Sequence, residues 1–96
     1  MVVIFEEDVM YVLLVYDVGE KRVAKALKTC RAYLNWVQNS VFEGEITEGK
    51  LKELLSKLKN IIKKKEDSIL IYKMSSENLF KKEIIGLDKA PLDVFI

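Results

Sequence analysis

Apolar residues are bunched along this chain, and the spacing within each bunch differs. Tyr11, Val12, Leu13, Leu14, Val15 and Tyr16 form an unbroken run rich in aromatic and β-branched side chains. With Met10 ahead of it, this run predicts a central strand covered on both faces. It stops at Asp17, and Val18 and Gly19 follow. The period then changes. Val23, Leu27, Cys30 and Leu34 recur at i, i+4, i+7 and i+11, the stripe of a first helix, while Lys21, Lys25 and Lys28 point elsewhere. Asn35 tolerates the left-handed cap conformation and is expected to end that helix. Residues 36–46 lack helical spacing. They predict a strand at 36–38, a turn or kink at Asn39-Ser40 and a strand at 41–46, with one bent strand as the alternative. Thr47 is a good N-cap for a second helix, whose stripe is Leu51, Leu54, Leu55, Leu58, Ile61 and Ile62. Lys63, Lys64 and Lys65 are expected in its last turn, opposing the negative end of the helix dipole. Residues 68–74 predict another strand and 75–80 a polar connection with at most one helical turn. A short edge-like strand at 82–85 closes at Gly86, and after Pro91 a last strand runs over 92–96.

This order is β-α-β-β-α-β with one or two strands appended. Two helices with one apolar face each cover the same side of one sheet. The expected architecture is therefore α+β, a ferredoxin-like two-layer sandwich. The other sheet face must be covered, polar or paired. Two appended strands and the apolar terminus point to a second copy of the chain on it, a homodimer. Residues 10–96 read as a single ferredoxin-like domain, and residues 1–9 as an N-terminal extension, with Met10 as the alternative start.

Composition removes several function classes. The 96 residues are 50% hydrophobic and 32% charged, which excludes a disordered or collagen-like chain. There is no histidine, so neither a Ser-His-Asp triad nor an imidazole metal site can be built. Cys30 is the only cysteine and cannot pair within the chain. No apolar run approaches the roughly 20 residues of a membrane-spanning helix, and the expected address is the cytoplasm. Formal charge is +1, so any nucleic-acid partner must be met by local patches.

Few residues can carry chemistry. Asp17 sits where a buried strand meets a glycine-containing loop. It is either a cap or loop carboxylate satisfied by backbone N–H groups, or a ligand for a hard divalent cation. One aspartate cannot hold such a metal firmly, but a two-fold axis near the strand end would turn it into two facing carboxylates. Lys21, Arg22, Lys25, Lys28 and Arg31 form a basic run on the first helix, which Lys57, Lys59 and residues 63–65 could extend. It is either a solvated face or a phosphate-contacting one. With two arginines in the chain, sequence-independent backbone contact is favoured over bidentate base readout. Tyr16, Trp36 and Phe42 read as core or interface, with base stacking the lesser reading. Ser40 has no histidine to activate it and reads as a turn residue. Cys30 lies on the apolar stripe and reads as core.

The succession VLLVYDV, a basic helix, VQNSVFEGEIT, an amphipathic helix and EDSILIYKM resembles the CRISPR-associated protein two family, the small subunit of the CRISPR spacer-acquisition machinery. The similarity spans residues 10–86. Its most specific parts are Tyr16-Asp17, the stretch from Gln38 through Ser40-Val41-Phe42 to Gly44, and Glu66-Asp67-Ser68. The resemblance implies a ferredoxin-like homodimer whose strand 92–96, with Leu92, Val94, Phe95 and Ile96, adds to the partner's sheet. It implies association with the CRISPR-associated integrase, protein one, and with double-stranded DNA. It also implies an endonuclease dependent on Mg²⁺ or Mn²⁺, acting on single-stranded RNA or double-stranded DNA. Asp17 matches the family's metal-binding carboxylate, and Tyr16, Arg22, Ser40 and Phe42 match positions near the active cleft. Trp36 stands where some nuclease-active members carry arginine. Two other readings stay beside the enzyme: a DNA-positioning scaffold without catalysis, and a small-molecule regulatory module. The module usually needs a glycine-rich loop, and Gly19, Gly44, Gly49 and Gly86 are scattered.

Overall fold

The structure is a computed structural model that describes residues 9–75 and 81–90. Its elements are β1 (Val9–Asp17), α1 (Glu20–Arg31), β2 (Asn35–Gln38), β3 (Val41–Thr47), α2 (Glu48–Ile61) and β4 (Ser68–Met74). The sheet order is β2-β3-β1-β4, and every neighbouring pair is antiparallel. Each helical crossover skips one strand, so the strands it joins are parallel without touching. This is the expected ferredoxin-like α+β sandwich, with β1 at the centre of the sheet.

Alternation along β1 decides its two faces. Val12, Leu14 and Tyr16 are buried beneath the helices with Phe42 and Ile46 of β3. Leu13 and Val15 lie on the other face and are only half-buried, beside Leu70 and Tyr72 of β4, each 54% exposed. Helices thus cover one face of the sheet, whereas the apolar run of β1 predicts coverage of both. No helix among the described residues is long and apolar enough to cross a membrane.

α2 forms as its pattern predicts. Thr47 accepts a hydrogen bond from Lys50 N at 3.2 Å, and Leu51, Leu54 and Leu58 are buried. Both helices end earlier than local signals indicate. α1 stops at Arg31 and is capped by Ala32; Tyr33 and Leu34 amides still reach Cys30 O, and Asn35 opens β2. The buried face of α1 centres on Ala26 and Cys30, and Val23, expected on the stripe, is 38% exposed. α2 gives way to extended backbone at Ile62, so Lys63, Lys64 and Lys65 follow the helix, and Lys59 is the base in its last turn.

Two strands, joined by a tight turn, replace the bent-strand alternative. Asn39 takes φ +44°, a left-handed conformation that asparagine tolerates. Trp36 Nε1 donates to Asn39 O at 2.8 Å across that turn. Residues 82–85 are not a strand. A strand needs a hydrogen-bonding edge, and no edge is paired with this stretch among the described residues; Ile85 is 97% exposed and Lys82 pairs instead with Glu43 of β3. The expected strand at 92–96, with Leu92, Val94, Phe95 and Ile96, lies outside the described residues, as does most of the connection at 75–80.

Candidate active site and nucleic-acid face

Four segments meet at one end of the sheet: the end of β1, the β2–β3 turn, the start of α1 and the start of β4. Asp17 closes β1 opposite Ser68. It is exposed, and no partner for its carboxylate is found among the described residues. Pleat alternation groups it with Leu13 and Val15, away from the helices.

Its neighbours divide between site and core. Tyr16 is 5% exposed and faces the helix layer, stacked on Phe42 with ring centroids 5.9 Å apart. Burial, with a smaller contribution from Cys30, raises its phenol above the ordinary value. Phe42 is fully buried. Both expected cleft residues are therefore core side chains under the β1 end, because consecutive strand positions face opposite sides. Ser40 contributes its carbonyl, which accepts from Tyr16 N at 3.1 Å and ties the turn to β1.

Arg22 is also placed differently from expectation. Its guanidinium grips Asp67: Nε donates to Oδ2 at 2.6 Å and Nη2 to Oδ1 at 2.9 Å. The Asp67 side chain is fully buried and accepts two more bonds, from Gly19 N at 2.9 Å and Lys63 N at 2.8 Å. The Arg22 hydrogen bonds, then those backbone donors, hold the Asp67 carboxyl well below the usual carboxylate range despite its burial. Glu66 takes a further bond from Arg22 Nη2 at 3.0 Å. So Arg22 is an internal tie, and its positive charge is matched within the chain.

The start of α1 bears on the capping reading of Asp17. The N-cap of α1 is Gly19, without any side-chain cap. The carboxylate that satisfies the Gly19 amide comes from Asp67, 48 residues away in sequence. Asp17 is left out of capping. Asp67 is legible in the sequence only as part of the Glu66-Asp67-Ser68 motif; nothing local marks it as the partner of Arg22.

As a metal site, one chain is incomplete. Among the described residues no group of three or more His, Cys, Asp or Glu could hold an ion. Asp17 is a hard oxygen donor of the type Mg²⁺ or Mn²⁺ takes, but it is a single donor.

The basic face is clearer. Lys21, Lys25 and Lys28 are exposed at i, i+4 and i+7 of α1, on the outside of the helix layer. No ion-pair partner for them is found among the described residues. Arg31 lies over the Trp36 ring, 5.8 Å from its centroid. Lys63–Lys65 are exposed next to the start of α1, since Lys63 and Gly19 share the Asp67 carboxylate. Lys57 sits instead over the Tyr33 ring at 5.1 Å, at the far end of the sheet. There a hollow of about 620 Å³ is lined by Tyr33, Lys50, Glu53 and Thr47.

Comparison with known proteins identifies this arrangement. The family model described as CRISPR associated protein Cas2 matches residues 10–82. A CRISPR-associated endoribonuclease Cas2 from Thermotoga maritima is 52% identical over 80 residues, 83% of this chain and 92% of that protein. One from Methanothermobacter thermautotrophicus is 45% identical over 87 residues, 91% of this chain and 96% of that protein. A Cas2 crystal structure superposes with a TM-score of 0.80 at 45% identity, covering 92% of this chain and 99% of that one. With a family match over most of its length, relatives above 40% identity and the same fold, the chain belongs to the CRISPR associated protein Cas2 family.

Proposed function

We propose that this protein acts in CRISPR spacer acquisition as a homodimer that binds nucleic acid and cleaves phosphodiester bonds at paired Asp17 carboxylates. The observation that carries this reading is the Asp17 carboxylate, exposed at the end of the central strand without a partner among the described residues. The open sheet face supports the dimer: Leu13, Val15, Leu70 and Tyr72 form an apolar surface with no helix over it among the described residues. A two-fold axis through that face, near the end of β1, brings the two Asp17 side chains toward one ion. Sharing requires their oxygens within about 4–5 Å, at ~2.1 Å per metal–oxygen bond.

A bound Mg²⁺ or Mn²⁺ would supply an activated water and charge stabilisation on the scissile phosphate. The chain's own residues do the rest. Asp17 anchors the ion, and Lys21, Lys25 and Lys28 meet phosphates as point charges. The names of the relatives favour RNA as the cleaved strand. Family membership supports double-stranded DNA and the CRISPR-associated integrase as partners of the dimer.

The test is cleavage of single-stranded RNA and double-stranded DNA, with and without Mg²⁺ or Mn²⁺, by the wild type and Asp17→Ala. Duplex binding is followed in the same samples. Metal-dependent cleavage that vanishes in Asp17→Ala while binding persists supports the enzyme. Absence of cleavage in both, with salt-sensitive duplex binding retained, establishes the DNA-positioning scaffold instead.

A further inference from the structure

We infer that Asp67 and Arg22 are positioning residues for Asp17, a clamp that sets where the end of β1 presents its carboxylate. This rests on the reading of Asp17 as a metal ligand. The clamp holds residues on both sides of Asp17, one along the chain and one across the sheet. Asp67 immediately precedes Ser68, the cross-strand partner of Asp17, and it bonds the amide of Gly19, two residues after Asp17. The same carboxylate holds Lys63 N, where α2 has just ended, and the Nε and Nη2 donors of one edge of Arg22 in the first turn of α1. Four hydrogen bonds therefore join the β1–α1 loop, α1 and the α2–β4 loop at one buried carboxylate.

Gly19 is part of the device. A Cβ there would lie 2.5 Å from Arg22 Nη2 and 3.2 Å from Cζ, so a side chain at this position would push the guanidinium from its place across the loop. Precision matters more here than at an ordinary loop. A ligand repeated by two-fold symmetry doubles, in the separation of the two oxygens, any displacement toward or away from the axis, and a site held by few ligands depends on their preorganisation.

The variants are Asp67→Asn, which keeps the shape and loses the charge, and Arg22→Lys, which keeps the charge and loses the fork. Each is first melted, and the measurements are made well below its Tm. Exchange of the Gly19 amide is read by NMR without metal, and Mn²⁺ affinity by spin-resonance titration. We expect Gly19 exchange at least tenfold faster and Mn²⁺ binding weakened about 10- to 100-fold, the usual range when the support of a metal ligand is removed. A role in folding alone would lower Tm and leave Mn²⁺ affinity unchanged, and that result overturns the inference. If Asp67→Asn does not fold, the same two readouts on Arg22→Lys decide. A wild type that takes up no Mn²⁺ overturns the metal reading of Asp17 and the positioning role with it. Gly19 exchange separates that outcome from failure of the clamp, because it reports on loop order with no metal present.

Discussion

Cys30 and Asp67 are buried ionisable groups with opposite fates. Cys30 has no charge to meet it, and burial pushes its thiol up to about 12. It should resist thiol reagents at pH 8 in the folded protein and react at once in denaturant, as absorbance of a disulfide reagent would show. The proton that folding keeps on Cys30 makes its contribution complete below the unfolded value of about 8.5, then lost as pH rises toward 12. Asp67 runs the other way. Its carboxyl is held down mainly by Arg22, so the unfolded chain binds the proton first as pH falls. Its stabilisation is present above about pH 4 and disappears below it. Urea melts between pH 6 and pH 2 should show wild-type stability falling steeply in acid, and Asp67→Asn losing part of that slope. Neither fate is written in residue type. The burial of Cys30 is legible from the α1 stripe, whereas that of Asp67 depends on donors from three other segments.

At the scale of elements, starts are more legible in the sequence than stops. Thr47 caps α2 through its own side chain, a contact within four residues. Thr47→Ala should cost about 1 kcal/mol in thermal or urea melts. Leu54 is fully buried in the middle of α2, and Leu54→Ala should cost about 2–5 kcal/mol in the same measurement. In the β2–β3 turn, Asn39 has φ +44°, so Asn39→Val should destabilise by about 1–3 kcal/mol while Asn39→Gly is tolerated. Helix ends are different. The lysine run places Lys63 inside the last turn of α2, but its amide is drawn to Asp67, and the chain leaves the helix at Ile62. A hydrogen bond to a carboxylate in the following loop overrides a lysine run that locally favours continuation.

At the scale of the whole molecule, the two faces differ in chemistry. The open sheet face is apolar around Leu70 and Tyr72, and the outer helix face is basic along Lys21, Lys25 and Lys28. Tyr72→Glu should convert the proposed dimer to monomer in sedimentation without a large loss of monomer stability, because that side chain is half exposed in one chain. Replacing the three lysines by alanine should weaken duplex binding for every sequence alike. It should also reduce the slope of log affinity against log salt by about 0.9 for each phosphate left unneutralised.

Sequence periodicity by itself determined the six elements, their order and most of the core, because burial repeats at 2.0 or 3.6 residues and leaves a local trace. It marked Asp17, since a carboxylate ending an apolar strand is conspicuous. Only the tertiary structure decided which charges are free. It bound Arg22 to a carboxylate 45 residues away, gave the Gly19 amide to Asp67, and left Asp17 exposed without a partner among the described residues. Contacts between distant segments have no period in the sequence, and their partners are chosen only when packing brings the segments together.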